Sequence, residues 1–299
     1  MTESDLFRPA VAAMHNAYAP YTGVKVGVAL KLSDGRVVSG SNVENVAYYG
    51  FDSIETAVSS LVSSSDWTQN GTLPAITDAL FVFNKVNADE DSYLPGPQGL
   101  FLLRLFGTPD TRLSFATEDK GVIASRTCHD LIARLPVYGV DRKKFLEQAV
   151  ARRHTDAAIP KKLAKNDNLR RLYETRRRAF CPVSDYAVGA QIETLDGEFF
   201  YGCNVELGGN KGLHAEACAI ANMVTARGPN TRIKHVTIIT AGRPGAPCGG
   251  CRQHILEFST PRTVITGYST DGKKTKASLK KLLPRYFGPR DLESGEGAE

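Results

Sequence analysis

Long hydrophobic runs and targeting features are absent from the sequence. No apolar stretch approaches the ~20 residues that a membrane-spanning helix needs, so we expect no membrane partner. Residues 1–5 (MTESD) are acidic and lack the basic start and apolar centre of a signal peptide. They also lack the Arg-rich, acid-poor composition of a transit peptide. The sequence therefore predicts a cytoplasmic protein.

Cysteine is scarce, and its placement argues against a secreted disulfide scaffold. The chain has six cysteines in 299 residues, and five of them lie after residue 180. Four are predicted to be small buried hydrophobic residues: Cys128, Cys181, Cys203 and Cys218. For Cys218, which follows His214 by four residues, a position facing a metal is the alternative. The remaining two, Cys248 and Cys251, form a C-x-x-C pair.

Positive charge is in modest excess and is concentrated in two segments. The formal net charge is +5, and Lys and Arg crowd residues 152–178 and 273–281. A nucleic-acid-binding surface is one interpretation. Neither segment interleaves aromatic residues with its cations as a base-stacking surface does. We therefore interpret both segments as solvated faces and expect no nucleic-acid partner.

An internal repeat determines the predicted architecture. The offset is 162 residues both between Pro20 and Pro182 (182 − 20) and between Asn42 and Asn204 (204 − 42). Each copy reads as a helix before the Pro, a hairpin that turns at Asp-Gly, and then alternating helices and strands. This order predicts an α/β protein of two tandem α/β/α layered domains, each with a mixed sheet of about five strands.

The repeat also indicates where the two domains meet. A degraded copy of segment 282–292 occurs at residues 133–141, which places the end of the first domain near residue 142. We therefore expect a first domain over residues 1–142, a basic linker over 143–160 and a second domain over 161–299.

The second copy carries two short motifs rich in metal ligands. Residues 213–217 read LHAEA and residues 247–253 read PCGGCRQ. Cys248 and Cys251 share a face of a helix and can hold one ion. His214 supplies a third ligand, and catalytic zinc sites keep three protein ligands and leave the fourth position to water. The order H-x-E…P-C-x-x-C is the signature of zinc-dependent nucleobase deaminases, in which the acid, here Glu216, moves protons and is not a ligand.

Simpler interpretations of these motifs are weaker. A lone C-x-x-C is typical of a redox pair or of half a structural zinc site. A four-cysteine structural site needs a second C-x-x-C, which the sequence lacks. The joint occurrence favours a catalytic Zn2+ site with His214, Cys248 and Cys251 as ligands and Glu216 as the catalytic acid and base.

The first copy has lost these ligands. When residues 97–101 (PQGLF) are matched with residues 247–251 (PCGGC), the three ligand positions are taken by Ser53, Gln98 and Phe101. A hydroxyl, an amide and a phenyl ring cannot hold catalytic zinc. Glu55 matches the acid Glu216. We therefore expect the first domain to be a degenerate, metal-free and non-catalytic copy.

The motifs resemble those of cytidine deaminases, and the resemblance covers nearly the whole chain. It also includes residues 180–189 (FCPVSDYAVG), 202–206 (GCNVE) and 282–292 (LLPRYFGPRDL). The chain is most similar to the long-chain type, which has two tandem deaminase domains and works as a homodimer. That type usually has its working domain first, whereas here the catalytic copy is second. The resemblance implies one Zn2+ per chain, a nucleoside substrate and a role in pyrimidine salvage.

The resemblance also assigns substrate-binding roles. The expected set is Asn204, Val205, Glu206, Tyr186, Ala215 and Phe287. Asn204 and Glu206, from the N-x-E segment, are expected to hydrogen-bond the ribose. Tyr186 is expected to pack on the pyrimidine, at a position where Phe is common in the family. Phe287 is expected to reach a neighbouring active site.

The implied reaction is hydrolytic deamination of cytidine and deoxycytidine to uridine and deoxyuridine with release of ammonia. Glu216 is expected to take a proton from zinc-activated water and to deliver protons to N3 and to the departing amine. The sequence leaves three alternatives open: a deaminase of cytosine in RNA or single-stranded DNA, a deaminase of another small aminopyrimidine nucleoside, and a non-enzymatic protein with structural zinc. Glu206 disfavours the first, because a carboxylate beside the ribose repels a 3′ phosphate.

Zinc is predicted to bind at one ion per chain, because only the second copy has the ligands. Elemental analysis of protein purified without added metal measures the ratio. Two tightly held zinc ions per chain would contradict the prediction.

Overall fold

The first half of the chain forms one mixed sheet flanked by helices. Its elements are α1 (Glu3–Asn16), β1 (Val26–Leu32), β2 (Val37–Ser41), α2 (Ser53–Ser64), β3 (Ile76–Phe83), α3 (Pro97–Phe106), β4 (Gly107–Thr117), β5 (Gly121–Thr127) and α4 (Cys128–Ile132). The five strands lie in the order β2-β1-β3-β4-β5, and of their pairings only β3–β4 is parallel. The structure is a computed structural model that describes residues 3–67, 71–85, 94–132, 142–152, 158–208 and 211–293.

The second half repeats this topology. After α5 (Arg142–Ala151) and α6 (Lys161–Ala164) come α7 (Asp167–Arg177), β6 (Gly189–Thr194), β7 (Phe199–Cys203), β8 (Val205–Gly208), β9 (Lys211–Leu213), α8 (Ala215–Arg227), β10 (Ile233–Thr240), α9 (Gly249–Phe258), β11 (Ser259–Ser269), β12 (Lys274–Ser278), α10 (Leu279–Leu282) and α11 (Pro289–Glu293). The sheet order is β7-β6-β10-β11-β12, with β10 and β11 parallel. The expected α/β class with two five-stranded mixed sheets is confirmed.

Both sheets are covered on two faces, as the layered architecture requires. In the first half, Leu6 and Met14 of α1 pack on the sheet face that carries Leu80. Ile54 of α2 packs on the opposite face, with Phe81. Neighbouring residues of β3 therefore point to opposite layers, as the two-residue period of a strand dictates.

The segment expected to be a basic linker contains a packed helix. Phe145 of α5 is buried, and its ring centroid lies 5.9 Å from that of Phe180. Arg142 donates through Nη2 to the carbonyl oxygen of Gly107 at 3.0 Å, next to the end of α3. Residues 133–141, from which we predicted the domain end, lie outside the described residues, so the boundaries at 142 and 161 stay a prediction.

The two halves share one hydrophobic cluster, and α2 lies against α8. Trp67 belongs to this cluster and is 2% exposed, and its indole N–H donates to the carbonyl oxygen of Arg178 at 2.9 Å. Arg178 also pairs with Asp66 at 2.9 Å. Burial of apolar surface between the halves fixes their relative position, because it is the main stabilising term in a protein core.

Within the described ranges, no helix has both the length and the apolar composition needed to cross a membrane.

Candidate metal centre

Three side chains of the second half converge on one point. The His214 Nδ1 atom lies 3.4 Å from the Sγ of Cys248 and 3.4 Å from the Sγ of Cys251. In a tetrahedral site with Zn–N near 2.0 Å and Zn–S near 2.3 Å, a nitrogen and a sulfur ligand are about 3.5 Å apart. Among the described residues, this triad is the one group of His, Cys, Asp and Glu found close enough to hold a metal ion. The donor set and the spacing both fit zinc.

Two helix starts bring the ligands together. His214 is the N-cap of α8, and Cys248 is the N-cap of α9. The Cys248 sulfur accepts a hydrogen bond from the backbone N–H of Cys251 at 3.5 Å. The positive ends of both helices therefore point at the site, which favours thiolate ligands.

The two thiols of the triad have pKa values shifted in opposite directions. Hydrogen bonds from Cys251 and then from His214 lower the pKa of Cys248 to about 3. The pKa of Cys251 is raised by the hydrogen bond to Cys248 and by burial. A metal ion would hold both sulfurs as thiolates, because metal ligands must be deprotonated.

Glu216 lies beside the triad and is outside the group of potential ligands. It occupies the first turn of α8 and is buried. Burial raises the pKa of Glu216. A raised pKa makes the carboxyl group a better proton carrier, as a general acid and base must be.

A cavity of about 680 Å³ is lined by His214 and Cys248 of the triad and by Glu216. Of the expected substrate-binding residues, Tyr186, Asn204, Glu206 and Ala215 line it. Two others do not line it: Val205 is fully buried and Phe287 is half-exposed. The Val205 side chain belongs to the hydrophobic core because alternate residues of a strand point to opposite faces. The proposed reach of Phe287 to a neighbouring site stays a prediction.

Asn204 and Glu206 also hold the cavity wall in place. Glu206 Oε2 accepts hydrogen bonds from two successive backbone N–H groups at 2.8 and 3.1 Å. Asn204 Oδ1 accepts from the N–H of Val188 at 2.8 Å, and Asn204 Nδ2 donates to the carbonyl oxygen of Tyr186 at 3.0 Å. Both side chains therefore fix the segment that carries Tyr186. Contact with a substrate stays a prediction for all three.

Sequence reasoning missed the wall opposite Tyr186. It is formed by residues 243–246, which include Arg243 and Gly245, together with Thr275. A Cβ atom on Gly267 would lie 1.7 Å from the carbonyl oxygen of Gly245, so the loop passes directly over this strand. The available signal was the Gly- and Pro-rich stretch before the first cysteine, AGRPGAP. Such loops mark close backbone approach.

The first half has different residues in the ligand positions than the sequence suggested. Helices α3 and α9 both have ten residues, and an eleven-residue strand follows each without a break. Gly96 therefore matches Cys248, and Gly99 matches Cys251. The expected Gln98 and Phe101 are wrong by two residues, because Pro95 and not Pro97 is the counterpart of Pro247. The expected Ser53 and Glu55 are wrong by one residue, because Asp52, the N-cap of α2, matches His214, the N-cap of α8, so that Ile54 matches Glu216. The expectation that this half lacks catalytic zinc stays a prediction, now because glycine has no ligand atom.

A carboxylate fills the space that a ligand would need in the first half. Asp52 Oδ2 lies 2.3 Å from where a Cβ atom on Gly99 would sit. Asp52 is the N-cap of α2, where it accepts from the N–H of Glu55 at 2.8 Å, while Glu55 accepts from the N–H of Asp52 at 2.7 Å. Asp52 thus caps the start of α2 and packs against the start of α3 at Gly99.

Two family models for the "Cytidine and deoxycytidylate deaminase zinc-binding region" match the chain, one over residues 1–88 and one over residues 164–267. Cytidine deaminase 3 of Arabidopsis thaliana is 35% identical over 38% of this chain and 54% of its own length. The cytidine deaminase of Aeromonas salmonicida is 35% identical over 38% of this chain and 36% of its own length. The matched region thus spans about half or less of these two relatives.

The cytidine deaminase of Sporosarcina psychrophila is 32% identical over 40% of this chain and is covered over 88% of its length. A crystal structure of cytidine deaminase from Burkholderia pseudomallei is 27% identical, with a TM-score of 0.36, over 44% of this chain and 96% of that chain.

Replacement of Glu55 with Gln is predicted to stabilise the protein more as the pH rises. Burial and the charge of Asp52 raise the pKa of Glu55 to about 8. When a carboxyl group has a higher pKa in the folded state than in the unfolded state, the protein loses stability as the pH rises. The loss begins near the unfolded-state pKa of ~4.3 and continues towards the folded-state pKa. The neutral amide avoids this loss and still offers an oxygen to the N–H of Asp52.

The melting temperatures of the wild type and of Glu55→Gln between pH 4.5 and pH 8 test this. The difference between the two melting temperatures should increase with pH. The exposed Glu147→Gln is the control and should show no trend. A difference in melting temperature between Glu55→Gln and the wild type that does not change with pH would refute the prediction.

Proposed function

The chain belongs to the cytidine deaminase family, and from that premise we propose that it catalyses the zinc-dependent hydrolytic deamination of cytidine and deoxycytidine. The observation that carries the proposal is the position of Glu216, a buried acid outside the ligand triad and on the wall of the same cavity. A purely structural zinc site has no use for such an acid. His214 and Cys248 are exposed, which leaves the metal accessible from the cavity.

The residues of the site have distinct tasks in this reaction. Bound zinc supplies a water molecule acidified towards pKa ~7. Glu216 would take one proton from this water and deliver it to N3 of the pyrimidine as the water oxygen bonds to C4. It would then pass the second proton of that oxygen to the amine, and cleavage of the C4–N bond would release ammonia. Burial of Glu216 raises its pKa and so keeps the proton available for delivery. Tyr186 and the 243–246 wall enclose the base and exclude bulk water.

Glu206 sets the substrate class in this proposal. Its carboxylate lines the cavity and is fixed by backbone N–H groups, so it can accept a hydrogen bond from a sugar hydroxyl. A phosphate on that hydroxyl removes the donor and adds a negative charge. At ~4 Å and an effective dielectric constant of ~20, the repulsion amounts to roughly 4 kcal/mol. The site therefore suits a free nucleoside.

The proposal extends to the setting of the enzyme. Cytidine deamination serves pyrimidine salvage, and we assign the protein to the cytoplasm. A homodimer is part of the proposal because Phe287 is half-exposed and does not line the cavity of its own chain. This leaves the ring available to a second copy.

Glu216→Gln is predicted to lower kcat by at least ~10²–10⁴-fold, the usual loss when a general acid and base is removed. Zinc content should stay near that of the wild type, because Glu216 is not a ligand. Glu55→Gln, the same change at a buried acid in the first turn of α2, is the control and should leave turnover within a few-fold. If Glu216→Gln keeps most of its activity, the mechanism is wrong.

Cytidine and deoxycytidine are predicted to be substrates, whereas cytidine 3′-monophosphate and cytosine within an oligonucleotide are not. An ultraviolet assay of kcat/KM with these four compounds tests the prediction. Glu206→Gln should lower kcat/KM for cytidine. It should also reduce the difference in kcat/KM between cytidine and cytidine 3′-monophosphate, because it removes the negative charge and keeps an acceptor for the backbone N–H groups. Equal deamination of oligonucleotide and nucleoside would contradict the proposed substrate class.

A further inference from the structure

The helix that carries both cysteines is anchored to the other half of the chain by a buried carboxylate. Glu257 of α9 accepts hydrogen bonds from the hydroxyls of Tyr18 and Tyr21 at 2.8 and 2.9 Å. Its second oxygen accepts from the backbone N–H of Val46 at 2.7 Å. Glu257 is 7% exposed, and every one of these donors belongs to the first half. Burial and the hydrogen bonds to Glu257 raise the pKa of both tyrosines, so their hydroxyls remain donors.

Two neighbouring residues of α9 make further contacts with the same loop of the first half. His254 Nε2 donates to the carbonyl oxygen of Tyr49 at 2.6 Å, and its ring stacks on Phe51 at 5.0 Å. The carbonyl oxygen of Gln253 accepts from Asn45 Nδ2 at 3.3 Å. Contacts at three residues within about one turn of α9 therefore hold the helix against the first half, and the hydrogen bonds among them are directional.

The matching helix of the first half carries apolar residues at the two equivalent positions. Leu105 of α3 occupies the position of Glu257, and Leu102 occupies that of His254. Both leucines are buried in one hydrophobic cluster with Phe180 of the second half. The fold can therefore use leucine at these two positions. Removing a carboxylate from water is unfavourable compared with leucine, so stability alone does not account for Glu257.

The difference between the two helices follows from what each carries at its start. Helix α9 begins at two metal ligands, whereas α3 has glycine at those positions. The third ligand, His214, lies at the start of another helix, α8. The site therefore forms only if α9 has the correct rotation about its axis and the correct position along its axis relative to α8. Zinc sites tolerate deviations of about 0.2 Å in their ligand distances. Apolar contacts permit small shifts at little cost, whereas hydrogen bonds weaken steeply when they are misaligned.

We propose that Glu257 and His254 are positioning residues, through which the non-catalytic half holds the cysteine helix in register with His214. This inference rests on the proposed zinc site. The first half then has a task in the reaction without chemistry of its own. Its loop at residues 45–51 acts on the metal centre through α9, and residues 48–51 line a second cavity that also reaches His214, Cys248 and Cys251.

The test replaces Glu257 with Leu, the residue that the chain itself uses at the matching position of α3. The full-length, zinc-loaded protein is mixed with a chromogenic chelator, and the rate of zinc loss is measured. We expect loss about tenfold faster than in the wild type, at the lower end of the effect of residues that orient metal ligands. The thiolate absorption bands of the Co2+-substituted protein should also change. Glu257→Gln, which keeps an acceptor for Val46, should restore both readouts most of the way.

A matched control removes another contact between the two halves. Thr225 of α8 accepts from the N–H of Ser41 at 3.2 Å and lies 2.9 Å from its hydroxyl, at the end of the helix away from the ligands. Thr225→Val should leave zinc loss and the Co2+ spectrum unchanged. If Glu257→Leu fails to fold, the double variant Tyr18→Phe and Tyr21→Phe removes two donors and keeps both rings, and it should also release zinc faster.

The proposal is overturned if Glu257→Leu, or the double tyrosine variant in its place, loses zinc at the wild-type rate with an unchanged Co2+ spectrum. It is also overturned if Thr225→Val changes both readouts as much as Glu257→Leu does. These measurements use no substrate. A zinc-loaded wild type that does not deaminate cytidine would therefore contradict the proposed function and leave the positioning role standing.

Discussion

The meeting of two helix N-termini at one point is the constraint on which the rest of the structure depends. His214 and Cys248 are the N-caps of α8 and α9, so the metal centre exists only where these two starts lie within ligand distance. Helix α9 joins two parallel strands, β10 and β11, which fixes its direction over the sheet. Both helices also direct partial positive charge at the site, which favours thiolates and a nearby acid.

The same arrangement persists in the first half with a different link between the helices. Asp52 stands at the start of α2 and fills the space beside Gly99 at the start of α3. Its carboxylate accepts from the backbone N–H of Glu55 within α2, whereas the start of α3 has no side-chain cap. Burial raises the pKa of both Asp52 and Glu55. In the first half a carboxylate packed against glycine therefore stands where the second half brings its metal ligands together.

The two halves divide their tasks through the interface between them. On the α3 side the contacts are apolar, with leucines packed in the same cluster as Phe180. On the α9 side Glu257 gathers three hydrogen bonds from the first half. Apolar burial supplies stability, whereas directional hydrogen bonds supply position. The polar side of the interface lies behind the metal ligands, where position matters most.

Local patterns in the sequence were sufficient for the repeat, for the two five-stranded sheets and for the choice of His214, Cys248 and Cys251, which the structure brings together, because the motifs depend on short spacings and the elements on strand and helix periods. Tertiary structure alone decided which glycines match the cysteines, since two prolines two residues apart offered rival alignments. It also decided that Val205 points into the core, that residues 243–246 form a cavity wall and that Glu257 binds the first half. Those features arise from contacts between residues far apart in the chain, and no local pattern encodes such contacts.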